Sequence, residues 1–128
     1  MLKTYVPDTV APPFGPYSHA VEVLPNARWL VLAGQVGVMP DGTFPEGAEA
    51  QNEWAWKNIV AILEAGGMGI ENIVRTTSFV VNKDVIPSFV ETRKTVLGGH
   101  APASTLIVID ALAAPEALVE IEVVAAKV

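Results

Sequence analysis

The chain has 128 residues, 51% hydrophobic and 17% charged, which suffices to bury a core in a single domain spanning residues 1–128. Eight Lys and Arg against 14 Asp and Glu give a formal net charge of −6 with no basic run, so nucleic-acid binding is not expected. Cysteine is absent and the two histidines, His19 and His100, lie far apart, which excludes disulfides and a thiolate nucleophile and argues against a structural metal.

The first segment, "MLKTYVPDTVAPPFGPYSHA", carries prolines where a signal peptide needs an apolar run. No stretch approaches the roughly 20 apolar residues that span a bilayer. The expectation is a cytoplasmic protein without a membrane segment. Prolines at 12, 13 and 16 make Ala11 to Ala20 a loop. "AVEVLP" and "RWLVLAGQVGV" read as strands, joined by the turn residues "PNAR". "MPDGTFPEG" is a loop that turns at Asp41-Gly42.

From Glu46 to Ala65 the apolar period becomes helical, with Ala48, Ala55, Ile59, Ile62 and Leu63 on one stripe, and "GGMG" ends the helix. Trp54 and Trp56 cannot both face the core, so one of them packs at an edge. "NIVRTTSFVV" alternates β-branched residues as a strand does. Asp84 is the expected cap of a second helix running to Leu97, with Pro87 in its first turn and "LGGH" after it. "STLIVID" and "LVEIEVVAA" complete the chain as two more strands.

The order β-β-α-β-α-β-β predicts an α+β domain, one sheet with both helices on one face. The other face then presents apolar residues with nothing in the chain to cover them. Another copy of the chain is the simplest cover.

The last strand places Glu120 and Glu122 on one face, because residues two apart in a strand point the same way. By spacing alone this is either a solvated strand face or a site for a general base acting on water. Tyr17, in "GPYSHA", either packs in its turn or offers its hydroxyl to a ligand. The glycines of "AGQVG" present bare backbone N–H groups that can approach a ligand carboxylate. No helix with Lys-Ser/Thr follows them, so they are not a phosphate loop.

"GPYSHA", "AGQVGV", "NEWAWKNIVAILEAGG", "NIVRTTSFVVNKD" and the C-terminal "APAST…LVEIEVVA" occur in an order that resembles the RidA/YjgF family of enamine/imine deaminases. The resemblance covers nearly the whole chain. It implies a chorismate-mutase-like (YjgF-like) fold, and a homotrimer with a central barrel and small-molecule clefts between subunits. It also implies hydrolysis of 2-imino or 2-enamino acids to 2-oxo acids and ammonia without a cofactor. Glu120 takes the place of the family's water-positioning glutamate, and Tyr17 and Gly34 match its ligand contacts. The family's arginine, which grips the substrate carboxylate, falls on Ser104, and the asparagine of its second helix falls at Phe89 or Val90.

A serine hydroxyl cannot replace a bidentate guanidinium. Arg93, one turn beyond Phe89 and Val90 on the same helix, is either solvated or turned into the cleft as a substitute. The candidate catalytic residue is therefore Glu120, and the candidate ligand-binding residues are Tyr17, Gly34, Phe89, Arg93, Ser104 and Leu106. Two readings remain: a deaminase-type hydrolase with altered substrate preference, and a non-catalytic trimeric ligand-binding or interaction protein.

Overall fold

The computed structural model describes residues 2–128. Seven strands and two helices follow one another as β1 (Leu2–Tyr5), β2 (Ala20–Val23), β3 (Arg28–Val31), β4 (Gln35–Val36), α1 (Ala48–Ala65), β5 (Ile73–Val80), α2 (Ile86–Leu97), β6 (Ala103–Val108) and β7 (Val119–Lys127). The main sheet has the order β3-β7-β5-β6, and β4 pairs beside β3 along the same edge of β7. β7 is antiparallel to β3, β4 and β5, whereas β6 runs parallel to β5. Parallel neighbours need a crossover, and α2 supplies it. The expected α+β architecture is present, a mixed sheet with both helices on one face.

Three details differ from the sequence expectation. The N-terminal residues form an additional strand, β1, which pairs only with β2 as a separate two-stranded ribbon. A single parallel bridge from Ser18 to Ala103 ties the end of the loop between them to the main sheet. The cap before α2 is Asn82 rather than Asp84: the Asn82 side chain accepts from the Asp84 N–H and holds a 3-10 turn over Lys83–Val85 that leads into the helix. Finally, "RWLVLAGQVGV" forms two strands, interrupted between Val31 and Gln35.

The helix-facing side of the sheet makes the core. Ala55, Trp56, Ile59 and Leu63 of α1 and Phe89 and Leu97 of α2 are buried in one cluster with Val80 of β5 and Val119, Ile121 and Val123 of β7. Burying each large aliphatic or aromatic side chain contributes about 1.5–3 kcal/mol. Trp56 is in this core, while Trp54 is half-buried with the Lys57 ammonium 4.5 Å from its ring centroid. Gly98, left-handed with φ 55°, ends α2 where a side chain would be strained.

The opposite face of the sheet is open and largely apolar, with Trp29 56% and Val31 73% exposed and Ile107 also exposed. The same face carries Glu120 and Glu122, opposite Phe79 and Thr77 of β5. Among the described residues no helix is long and apolar enough to cross a membrane.

Candidate functional site

The Pro-rich loop folds back at Gly15, where the Tyr17 N–H donates to the Gly15 carbonyl at 2.8 Å. The Phe14 N–H donates to the Tyr17 hydroxyl at 3.2 Å, which fixes the ring at the end of the turn. Ser18, next in sequence, is buried and anchors the loop: its hydroxyl donates to the Ala101 carbonyl at 2.6 Å and its N–H to the Pro102 carbonyl at 3.2 Å. Tyr17 and His19 thus flank the first residues of β6. Together with Arg75, Ala103, Ser104 and Thr105 they line a cavity of about 280 Å³, the size of a small ligand.

Ser104 lies in register with Thr76 of β5, and the two hydroxyls share a hydrogen bond of 2.9 Å. Arg93 reaches the same point from α2. Its Nη1 donates to Ser104 Oγ at 3.5 Å, and Nη2 lies beside Gly15. The side chain is only 7% exposed, and Nε is buried without a partner. Among the described residues no carboxylate pairs with this guanidinium; Ser104 is its one hydrogen-bond partner. Burial lowers the Arg93 pKa from its ordinary value, and the nearby Tyr17 hydroxyl opposes the shift. A buried cation costs several kcal/mol unless an anion and hydrogen bonds compensate it. Here no carboxylate among the described residues compensates it and one long hydrogen bond to Ser104 leaves Nε without a partner, so the position is set up to receive an anion.

Phe89 is fully buried one turn before Arg93, with the guanidinium 5.2 Å from its ring centroid. It supports the arginine from below and does not line the cavity. Leu106, two residues along β6 from Ser104, packs against the core.

Glu120 occupies a different part of the sheet, where β7 meets β4 and β5. It is half-buried, and a Cβ at Gly34 would collide with its carboxylate, so only glycine lets the two approach. The register places Glu120 opposite Phe79 and Ser104 opposite Thr76. Three residues along the strand is about 10 Å, and two strand spacings add about 10 Å across the sheet. Within one chain, Tyr17, Ser104 and Arg93 converge, and Gly34 and Glu120 form a second group apart from them.

The histidines are tied to the backbone: His19 Nε2 lies 2.8 Å from the Ala11 carbonyl and His100 Nε2 lies 2.7 Å from the Ile73 carbonyl. Among the described residues no group of three His, Asp or Glu could hold a metal. A larger groove of about 880 Å³ runs between α1 and α2, with Glu49, Glu53, Glu64 and Glu91 on its walls. None of the residues of the two groups above lines it. Sequence reasoning did not single out Arg75, Thr76 or Ser18. Their place in the site comes from the pairing of β5 with β6 and from the Ser18–Ala103 bridge, both contacts between distant segments.

The sequence model of the family described as Endoribonuclease L-PSP matches residues 8–127. The chain is 32% identical over 130 residues to the mouse (Mus musculus) 2-iminobutanoate/2-iminopropanoate deaminase, a match covering 99% of this chain and 93% of that protein. It is 42% identical to a RutC family protein of Aquifex aeolicus over 71 residues, 55% of this chain and about half (54%) of that one. Among solved structures, the Rid family protein YyfB of Yersinia pestis superposes with a TM-score of 0.87 at 33% identity, covering 98% of each chain.

Proposed function

The chain belongs to the Endoribonuclease L-PSP family, the family of the RidA and YjgF proteins, and on that premise we propose that it hydrolyses small 2-imino or 2-enamino acids to 2-oxo acids and ammonia. The observation that carries this reading is the buried, anion-free guanidinium of Arg93 beneath Tyr17 and Ser104. Resemblance to the family puts the carboxylate-gripping arginine at Ser104. In this chain the guanidinium arrives at the same point from α2, which supplies the missing charge from another element.

The chemistry follows from the two groups. Arg93 and the Tyr17 hydroxyl hold the substrate carboxylate, which leaves the C=N carbon exposed to water. Glu120 accepts a proton from that water, its oxygen bonds to the imine carbon, and the nitrogen takes up a proton. The tetrahedral adduct then gives up its hydroxyl proton as the C=O bond forms, the nitrogen takes up a second proton as the C–N bond breaks, and ammonia leaves. One imine and one water give one 2-oxo acid and one ammonia, with no redox change.

Glu120 and Arg93 must meet across an interface, because one chain holds them apart. The open sheet face with Trp29, Val31 and Ile107 is the surface that a second copy covers. A homotrimer with ligand clefts between subunits satisfies both requirements. The family description also names a ribonuclease; an excess of 14 acidic over eight basic residues disfavours a polyanionic substrate.

The same separation of the two groups favours one second reading, a trimeric ligand-binding protein that uses the Arg93 pocket and performs no hydrolysis. Ammonia release from freshly generated 2-iminobutanoate separates the two. Hydrolysis well above the uncatalysed rate, lost in Glu120→Gln, supports the enzyme, whereas ligand binding without ammonia release supports the binding protein.

A further inference from the structure

β4 and β5 are both antiparallel to β7, and β6 is parallel to β5, so α1 and α2 cross the sheet in the same direction. Near their first turns the Asn52 side chain donates to the Ser88 hydroxyl at 2.9 Å and ties them together. The groove of about 880 Å³ runs between them, on the helix side of the sheet. From Glu49 to Glu64 its α1 wall is about 22 Å long. Val60, Ala61 and Val96 give it an apolar stretch; Ala61 is exposed and both valines are half-buried. The charges along it are one-sided: Glu49, Glu53, Glu64 and Glu91, all exposed, against a single cation, Lys57. The Lys57 ammonium lies over the Trp54 ring, and among the described residues none of the four carboxylates is ion-paired. Helix stability accounts for Glu49, which stands in the first turn of α1. It does not account for Glu64, which stands in the last turn, where the helix dipole opposes a negative charge.

From this arrangement we propose that the groove docks a cationic amphipathic helix of a partner protein. The apolar stripe of that helix lies on Val60, Ala61 and Val96, and its Lys and Arg side chains reach the glutamates on both walls. Their aliphatic stems add apolar contact while the charged heads stay in water. The length of the groove fits about four turns of helix. Charge complementarity selects this occupant. A second copy of the chain, itself at a net charge of −6, would set its own acidic helix faces against the same glutamates. The exposed ion pairs contribute orientation and a salt-dependent attraction, and the apolar contact contributes most of the affinity. The groove lies across the sheet from the open face that carries Trp29 and Val31, so docking leaves that face and the Arg93 pocket untouched. The inference is independent of the hydrolysis proposed above.

The test uses a fluorescently labelled Leu/Lys peptide of about 15 residues with one apolar stripe at helical spacing. A scrambled peptide of the same composition, without the stripe, is the control for attraction to net charge alone. Fluorescence anisotropy compares both on the full chain, on Ala61→Arg, and on Glu53→Lys combined with Glu91→Lys. These three positions are exposed, and an unchanged thermal midpoint verifies that the variants fold. The striped peptide is expected to bind the parent at least about tenfold more tightly than the scrambled one, since only the stripe reaches the apolar stretch. Ala61→Arg, which blocks that stretch and repels the peptide, should remove at least about tenfold of the affinity. The double charge reversal should also weaken binding, and should reduce its dependence on salt. Equal binding of the two peptides, no binding of the striped one, or unchanged binding by both variants overturns the inference. So does a lower sedimenting mass for Ala61→Arg than for the parent, which gives the groove to a second copy. Binding of octylammonium without binding of the striped peptide gives it to a small cation and overturns the inference as well.

Discussion

Arg93 and Ser104 lie 11 residues apart in sequence, on α2 and on β6, and the arginine Nη1 stands 3.5 Å from the serine hydroxyl. Neither residue accounts for this contact alone. Ser104 leaves room at a strand position where a longer side chain would fill the space. Arg93 fills that space with a charge that finds no protein anion. A buried cation retained without a counter-ion lowers stability. On the proposed reading, its functional counterpart is a ligand that brings the anion.

Replacement of Arg93 by methionine therefore separates stability from binding. Methionine fills similar volume without the charge, and the variant is expected to be as stable as the parent or up to about 2 kcal/mol more stable. Thermal denaturation checks this, with a midpoint unchanged or raised by several degrees. The stabilisation that 2-oxobutanoate gives the parent should vanish in the variant. A loss of more than about 1 kcal/mol would show that the guanidinium holds the fold together.

Gly34 and Gly37 predict opposite outcomes for the same substitution. At Gly34 a methyl group meets the far end of the flexible Glu120 side chain, which can swing aside. Gly34→Ala should fold normally and lose turnover at least tenfold, chiefly in kcat, because the base is displaced. At Gly37 the methyl group meets the backbone of Gln51 in α1, which cannot yield. Gly37→Ala should cost about 1–3 kcal/mol in urea denaturation.

The two carboxylates of β7 are likewise distinguishable. Glu120 is half-buried against Gly34, while Glu122 is exposed opposite Thr77. Glu120→Gln should lower ammonia release by at least about 100-fold, the lower end for loss of a general base. Glu122→Gln should change it by less than about threefold. Equal effects would place the chemistry elsewhere.

Much of this arrangement is legible in the sequence. The stripe of Ala55, Ile59 and Leu63 defines the buried side of α1, and all three are fully buried. The spacing of Phe89 and Arg93 puts both on one helix face, which is the face turned inward. What sequence periodicity does not carry is register between segments far apart in the chain. The pairing of Thr76 with Ser104 brings Arg75 to the cavity, and no local pattern marks that arginine. β1 is similarly hidden, since its four residues gain order only by pairing with β2 across the Pro-rich loop. The cap at Asn82 lies two residues ahead of the expected Asp84 because a 3-10 turn precedes the helix.

The proposed homotrimer rests on the open face. Sedimentation equilibrium at micromolar concentration should give three times the 13.6 kDa chain mass. Glu in place of both Trp29 and Val31 should shift the population toward monomer, since two charges are then buried on association. A parent protein that sediments as a monomer would leave Glu120 and Arg93 apart and contradict the shared cleft.

The most direct test of the account moves the guanidinium back. Ammonia release from 2-iminobutanoate is measured for the parent, for Arg93→Met, and for Arg93→Met combined with Ser104→Arg. Losing the charge-assisted grip on a carboxylate costs about 2–5 kcal/mol, so Arg93→Met should reduce kcat/KM by roughly 30-fold or more. Restoring an arginine from the β6 side should recover at least about tenfold of that loss, because the carboxylate position is unchanged. An Arg93→Met protein as active as the parent, or a double variant no better than the single one, would contradict the assignment of Arg93 as the anion-binding residue.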